Sequence, residues 1–259
     1  INDHKTINLV LPWASAFSRA RDSSLVVLCW TQSTIPSSEL PDDEPVSEHL
    51  VNAVRNYFSH QAPGDEPEIM GLSGPVESRA VLDAVREKEV DLIVAAGSDP
   101  DGRQGGSFTT NPLLKQSPCT TVILFGDSTR STRPRKIFVG SSDNTHDSAS
   151  LFLANQLVDS HQSRVILGGP EFEAGPEGEE IGRRDLEQLM RDSGVVDRDE
   201  IQCQVFQSGE MEPAAEVMNE NDLVMFGANY EYLPAVIELT DKPTVAIVKK
   251  KPPLSRWRS

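Results

Sequence analysis

At 259 residues the chain has room for two domains, each with its own core. Its 24 Lys and Arg against 40 Asp and Glu leave a net charge of −16, which repels phosphate backbones and disfavours nucleic-acid binding. No stretch is apolar over the length of a membrane span, nothing at the start reads as a signal peptide, and Cys29, Cys119 and Cys203 are too few and too far apart for a disulfide framework or a zinc cluster.

Ile7, Val10, Leu11, Ala14 and Phe17 share one helical face, which predicts a helix running through Pro12. Reading 7–11 as a strand instead leaves only a stub of helix to cover a sheet. Apolar runs at 25–29 and 68–72 read as strands, with the acidic loop Pro41-Asp42-Asp43-Glu44-Pro45 between them. Strands follow at 91–97 and 118–125. The polar connection 126–135 is the natural boundary, giving domains over 1–126 and 136–250, a linker over 127–135 and a basic tail over 251–259. Beyond it the chain reads strand 136–140, helix 149–162 with Phe152 among its apolar positions, strand 165–167, an acidic loop at 171–180 and a helix at 183–192. Strand 202–206, helix 213–219, strand 223–226, helix 233–240 and strand 245–248 complete it. Such alternation predicts right-handed crossovers and a parallel sheet covered on both faces.

One segment occurs twice. Asp91-Leu92-Ile93-Val94-Ala95-Ala96-Gly97 recurs as Asp222-Leu223-Val224-Met225-Phe226-Gly227, each after a Ser-Gly pair and a helical stretch, each before a proline and a further apolar run. An internal repeat of this length predicts two similar α/β units. Aligning the units sets Ile1 against Ser141 and Asp3 against Asp143, so the first unit begins just after the position of its own first strand. The start at Ile1 rather than Met reads as the start of a fragment.

These runs resemble the universal stress protein family in tandem form, over almost the whole chain. The resemblance is carried by 9–28, by 91–97 and by the stretch from Gly106-Ser107 through Pro118-Cys119 to Phe125. It implies two Rossmann-like five-stranded parallel sandwiches, paired through their last strands as an internal pseudo-dimer. It also implies an ATP site in the first unit, on Gly97, Gly102, Gly105, Gly106 and Ser107 with Asp3 near the adenine. Glycines let backbone amides approach phosphates, and a helix N-terminus favours the anion. Pro100 stands where the family's second glycine belongs, the loop is shortened before Gly106, and Asp99 and Asp101 add repelling charge. In the second unit Ala228-Asn229-Tyr230-Glu231-Tyr232 replaces that loop altogether, and Asp143 reads as a turn or cap residue.

No reactive constellation points to an enzyme. His4, His49, His60, His146 and His161 are scattered, Ser73-Gly74 and Ser208-Gly209 lack the glycines of a nucleophile elbow, and no Gly-Lys-Ser/Thr loop occurs. No metal ligand set is expected. The stretch 2–17 resembles the start of cytosolic domains of amino-acid permeases and cation–chloride cotransporters. That resemblance implies a non-enzymatic regulatory module on the cytosolic face of a membrane, attached to a transporter domain of the same polypeptide, with a homodimer as the assembly. The alternatives are a stand-alone tandem stress protein binding ATP in its first unit, and an adenylating ligase on the same fold.

Overall fold

The computed structural model describes residues 4–30, 48–61, 67–72, 78–97, 116–126, 134–141, 145–170, 176–195, 198–206, 216–228 and 244–252. In chain order these form α1 (His4–Ala20), β1 (Val26–Trp30), α2 (Glu48–Gln61), β2 (Glu68–Leu72), α3 (Ser78–Glu87), β3 (Leu92–Ala96) and β4 (Thr120–Phe125). Then follow β5 (Lys136–Gly140), α4 (Asp147–His161), β6 (Arg164–Pro170), α5 (Pro176–Asp192), β7 (Ile201–Phe206), β8 (Leu223–Gly227) and β9 (Thr244–Lys249). Residues 216–219 are helical as well. The helix expected at 233–240 lies outside the described residues.

The strands divide into a seven-stranded sheet of order β3-β4-β9-β8-β5-β6-β7 and a separate pair, β1-β2. Among the described residues every ladder is parallel except one. That exception is β4 against β9, where Thr121–Phe125 face Val245–Lys249 antiparallel. The division differs from two self-contained sheets. The last strand of each half completes a single sheet with the other, while β1 and β2 stand apart from β3 and β4.

Strand residues alternate between two cores, as the pleat requires. Val122 and Leu124 of β4, Ile137 and Val139 of β5 and Ala246 and Val248 of β9 lie under α1, α4 and α5. Ile123, Phe138, Val224, Phe226, Val245 and Ile247 face the opposite side, toward Met218. A smaller core places α1 and α2 against Val27 and Cys29 of β1, and another places α3 against Leu28 and Ile93.

Three sequence expectations are corrected here. Helix α1 has two buried faces rather than one. Ile7, Val10, Leu11 and Ala14 pack toward β1, while Leu9, Trp13, Ala16 and Phe17 pack toward the main sheet and α4. Burial on both sides also explains how Pro12 is tolerated, since tertiary packing outweighs one missing helix hydrogen bond. Phe152 is 43% exposed, on the outer side of α4. The acidic stretch 171–180 is not all loop: α5 already starts at Pro176, with Glu177 and Glu179 in its first turn. Proline at a first helical position and carboxylates against the positive helix end both favour that start.

Candidate functional site

Open α/β sheets place ligands outside the carboxyl ends of their strands, where the strand order reverses. In the second half that point lies between β5 and β8. From β5 the chain crosses to β6 on one side, while β8 pairs on the other. The crevice is therefore bounded by Gly140 and Ser141, by Gly227 and Ala228, and by the start of α4.

Two of the chain's own groups meet beside this position. Ser141 donates its backbone N–H to the Gly168 carbonyl at 2.7 Å and its hydroxyl to Asp147 Oδ2 at 3.3 Å. Asp147 opens α4 and is only 1% exposed. The positive end of the helix favours a carboxylate there. A phosphate approaching the same helix end would meet this buried carboxyl group, which already occupies the position.

The end of β9 closes over the same helix start. Lys250 donates its backbone N–H to His146 Nδ1 at 3.2 Å, and its ammonium donates to the Ser148 hydroxyl at 2.9 Å. An accepting Nδ1 requires the neutral imidazole with its proton on Nε2. The electrostatics agree. Burial holds His146 below its ordinary range, and the Lys249 and Lys250 ammonium groups push it further down. Burial likewise lowers Lys249.

This arrangement fixes a pH dependence. The unfolded chain binds a proton at His146 more readily than the folded one, so stability falls as pH drops through the free-imidazole range and stops falling below the folded value. Between about pH 8 and pH 5, thermal midpoints of the parent protein are expected to fall more steeply than those of His146→Gln. Parallel curves would show that His146 carries no linked proton.

The first half matches the second at the ends of its last two strands. Gly97 donates its N–H to the Leu124 carbonyl at 2.8 Å, as Ala228 does to Val248 at 2.7 Å. Leu92 pairs with Thr120, and Leu223 pairs with Thr244. The structural counterpart of Gly97 is therefore Ala228. The sequence repeat sets Gly97 on Gly227, one residue out of register. Gly97 has a packing reason to be glycine, because an added Cβ would stand 1.8 Å from Phe125 Cε1. In the second half, a Cβ on Gly140 would stand 2.2 Å from Phe226 Cε1. The remaining nucleotide-loop residues, Gly102, Gly105, Gly106 and Ser107, and the adenine-side Asp3, lie outside the described residues. So do Asp143, Tyr230 and Tyr232. The first turn of α1 holds no acidic residue, unlike that of α4.

Among the described residues no group of three His, Cys, Asp or Glu is gathered to hold a metal ion. Cys29 and Cys119 are buried free thiols and Cys203 is half-buried, with its Sγ 3.6 Å from Met190 Sδ. Burial raises all three above the ordinary thiol range, so none is an activated thiolate at neutral pH. Sequence reasoning missed Asp147, and it placed His146 among scattered histidines. Nothing in the spacing of His146 and Ser148 marks the contact with Lys250, which is made across the fold.

No protein family matches the chain by sequence, and no curated protein does. Solved structures do match by shape. A functionally unknown protein from Pseudomonas aeruginosa is similar over 92% of this chain and 86% of its own, at 11% identity and a TM-score of 0.54. A universal stress protein from Archaeoglobus fulgidus is similar over 93% of this chain and 92% of its own, at 12% identity and a TM-score of 0.53. The fold is thus a universal-stress-protein-like α/β fold with a mostly parallel sheet.

Proposed function

We propose that the chain is a non-enzymatic regulatory module, two stress-protein-like halves joined as an internal pseudo-dimer that binds a partner through its surfaces. The observation that carries this reading is the β4–β9 ladder. The last strand of one half pairs antiparallel with the last strand of the other, and nine of the ten paired residues are buried, Lys249 being half-buried. In this reading the ladder makes within one chain the last-strand pairing that the resemblance implies between two domains. The unactivated thiols and the buried Asp147 at the start of α4 also favour binding over chemistry.

In this reading the partner is a transporter domain of the same polypeptide, of the amino-acid permease or cation–chloride cotransporter type, at the cytosolic face of a membrane. The sequence resemblance of 2–17 supports that part, and a homodimer would relay reorientation of the halves to membrane helices. No described helix is itself long and apolar enough to cross a membrane. Fractionation of the native host tests it. An antibody to this chain is expected to detect a membrane-bound product well above 28.4 kDa. A soluble product of about that mass overturns the transporter reading.

A second reading has one observation in its favour. Among the described residues the first turn of α1 holds no acidic group, unlike the first turn of α4. Here the chain is a stand-alone stress protein holding ATP in its first half. Calorimetric titration with Mg-ATP separates the two. The module reading expects no saturable heat up to about millimolar nucleotide, and a dissociation constant of about 1–10 μM favours the ATP reading.

A further inference from the structure

The ladder that joins the halves runs from Phe125 and Val245 to Thr121 and Lys249. Past Lys249 the acceptors that hold the chain change from backbone carbonyls to side chains. Lys250 donates its N–H to His146 Nδ1 at 3.2 Å, and Lys251 donates its N–H to the Thr120 hydroxyl oxygen at 3.4 Å. The Lys250 ammonium donates to the Ser148 hydroxyl at 2.9 Å. Thr120 opens β4 in the first half, while His146 and Ser148 lie at the start of α4 in the second. Residues 249–251 therefore lie across the joint, tied to both sides.

His146 is unusual for its position. It stands just before α4, where Ser, Thr, Asp or Asn commonly turns a side-chain oxygen onto the first helical N–H groups. Its ring makes no such cap bond. It meets β9 instead, and it does so as an acceptor, because a backbone N–H can only donate. An amide or hydroxyl oxygen in this place would accept at any pH. Imidazole gives up the role when it takes a proton.

We propose that His146 is a proton-operated latch on the chain leaving β9: the neutral ring holds residues 249–251 across the joint, and the protonated ring releases them. Protonation puts an N–H on Nδ1 facing the N–H of Lys250, so an attraction becomes a repulsion between two donors. The surrounding charges act in the same direction. Lys249 and Lys250 are the cations beside the ring, and the positive end of α4 adds to them. On α4 itself, Asp147 accepts from the Ser141 hydroxyl. At the start of β4, Cys119 lies near Lys249 and Lys251 and stays a neutral thiol, and Asp91 beside it is paired with Arg21. Release is local. Lys250 is exposed, so water takes over its N–H, while Val245, Ala246, Ile247 and Val248 stay buried in the sheet. The freed run, Lys249-Lys250-Lys251, is basic in a chain of net charge −16, so one proton repositions three positive charges. The latch rests on neither the regulatory nor the ATP reading.

NMR of the full isotope-labelled chain tests it, with amide–water exchange corrected for the pH dependence of the intrinsic rate. Between about pH 8 and pH 5, the His146 ring is expected to pass from a proton on Nε2 alone to protons on both nitrogens. The Lys250 amide should lose its hydrogen-bonded shift at the same midpoint. Protection of the 250 and 251 amides should fall at least about tenfold across that step, while 137–139 in β5 keep theirs. His146→Asn, which has an acceptor and no proton to gain, should abolish the pH response at Lys250. A Lys250 amide that ignores the His146 midpoint overturns the latch. So does equal loss of protection in 137–139, which marks global destabilisation, or a pH response that survives in His146→Asn. Should that variant fold poorly, the parent decides alone, by whether the two midpoints coincide.

Discussion

Ile123→Ala and Ile247→Ala are each expected to lower stability by about 2–5 kcal/mol, the range for emptying a well-packed core site. The two residues sit directly opposite each other in the antiparallel ladder, and each is 1% exposed. Both face the core that also holds Phe125, Val245 and Phe226, so neither vacancy can fill with water without exposing apolar neighbours. Their position makes the consequence global. β4 belongs to the first half and β9 to the second, and the seven-stranded sheet is continuous only through them. Denaturant unfolding of each variant should therefore show one cooperative transition shifted to lower midpoint. The double variant should depart from additivity by about 0.5–3 kcal/mol, because the partners share one contact. Additive losses below about 1 kcal/mol, or two separated transitions in the parent, would show that the halves do not depend on this ladder.

How much of this was legible in the sequence depended on whether a signal was local. Strands 68–72 and 136–140 were read to the residue, because an apolar run ends at turn-forming neighbours in both. Helix α1 was legible as a helix and illegible as a two-sided one. Ile7, Val10, Leu11 and Ala14 give a clean stripe, while Leu9, Trp13 and Ala16 fall off it and look like surface residues until α4 covers them. Phe152 is the reverse case, an apolar residue of the α4 run that faces solvent. Apolarity reports what a residue prefers, and partners in space decide what it gets.

The site was less legible than the fold. Asp147 looks like any polar residue beside a helix start, yet in the fold it is buried and accepts a hydrogen bond from the Ser141 hydroxyl. His146 gains its meaning from Lys250, more than a hundred residues later in the chain. The repeat misled by one position. Both copies end in glycine, yet the ladders set Gly97 level with Ala228, because the second copy is a residue shorter before its glycine. Sequence similarity between the copies recorded apolar runs and a shared turn residue, whereas register is set by hydrogen bonds to β4 and β9.

Gly97→Ala separates the two roles open to that glycine. A Cβ there would meet Phe125 Cε1 at 1.8 Å, Cζ at 2.1 Å and Cδ1 at 2.5 Å, all from one ring that is 6% exposed. The backbone of Gly97 is not among the positive-φ glycines, Gly126 and Gly194, so alanine meets no dihedral strain at this position. The whole cost then comes from moving the ring out of a packed core, about 1–3 kcal/mol. Phe125→Ala alone should cost about 3–5 kcal/mol by the vacancy it leaves. With the ring gone, however, adding the Gly97 methyl removes no contact and fills part of the void. The double variant Gly97→Ala, Phe125→Ala is therefore expected to be at least as stable as Phe125→Ala. Thermal melts of the three variants check this, with Mg-ATP titration alongside. A glycine retained for close approach to phosphate would behave otherwise. Gly97→Ala would then leave the melting midpoint unchanged and weaken nucleotide binding, and the packing account of Gly97 would fail.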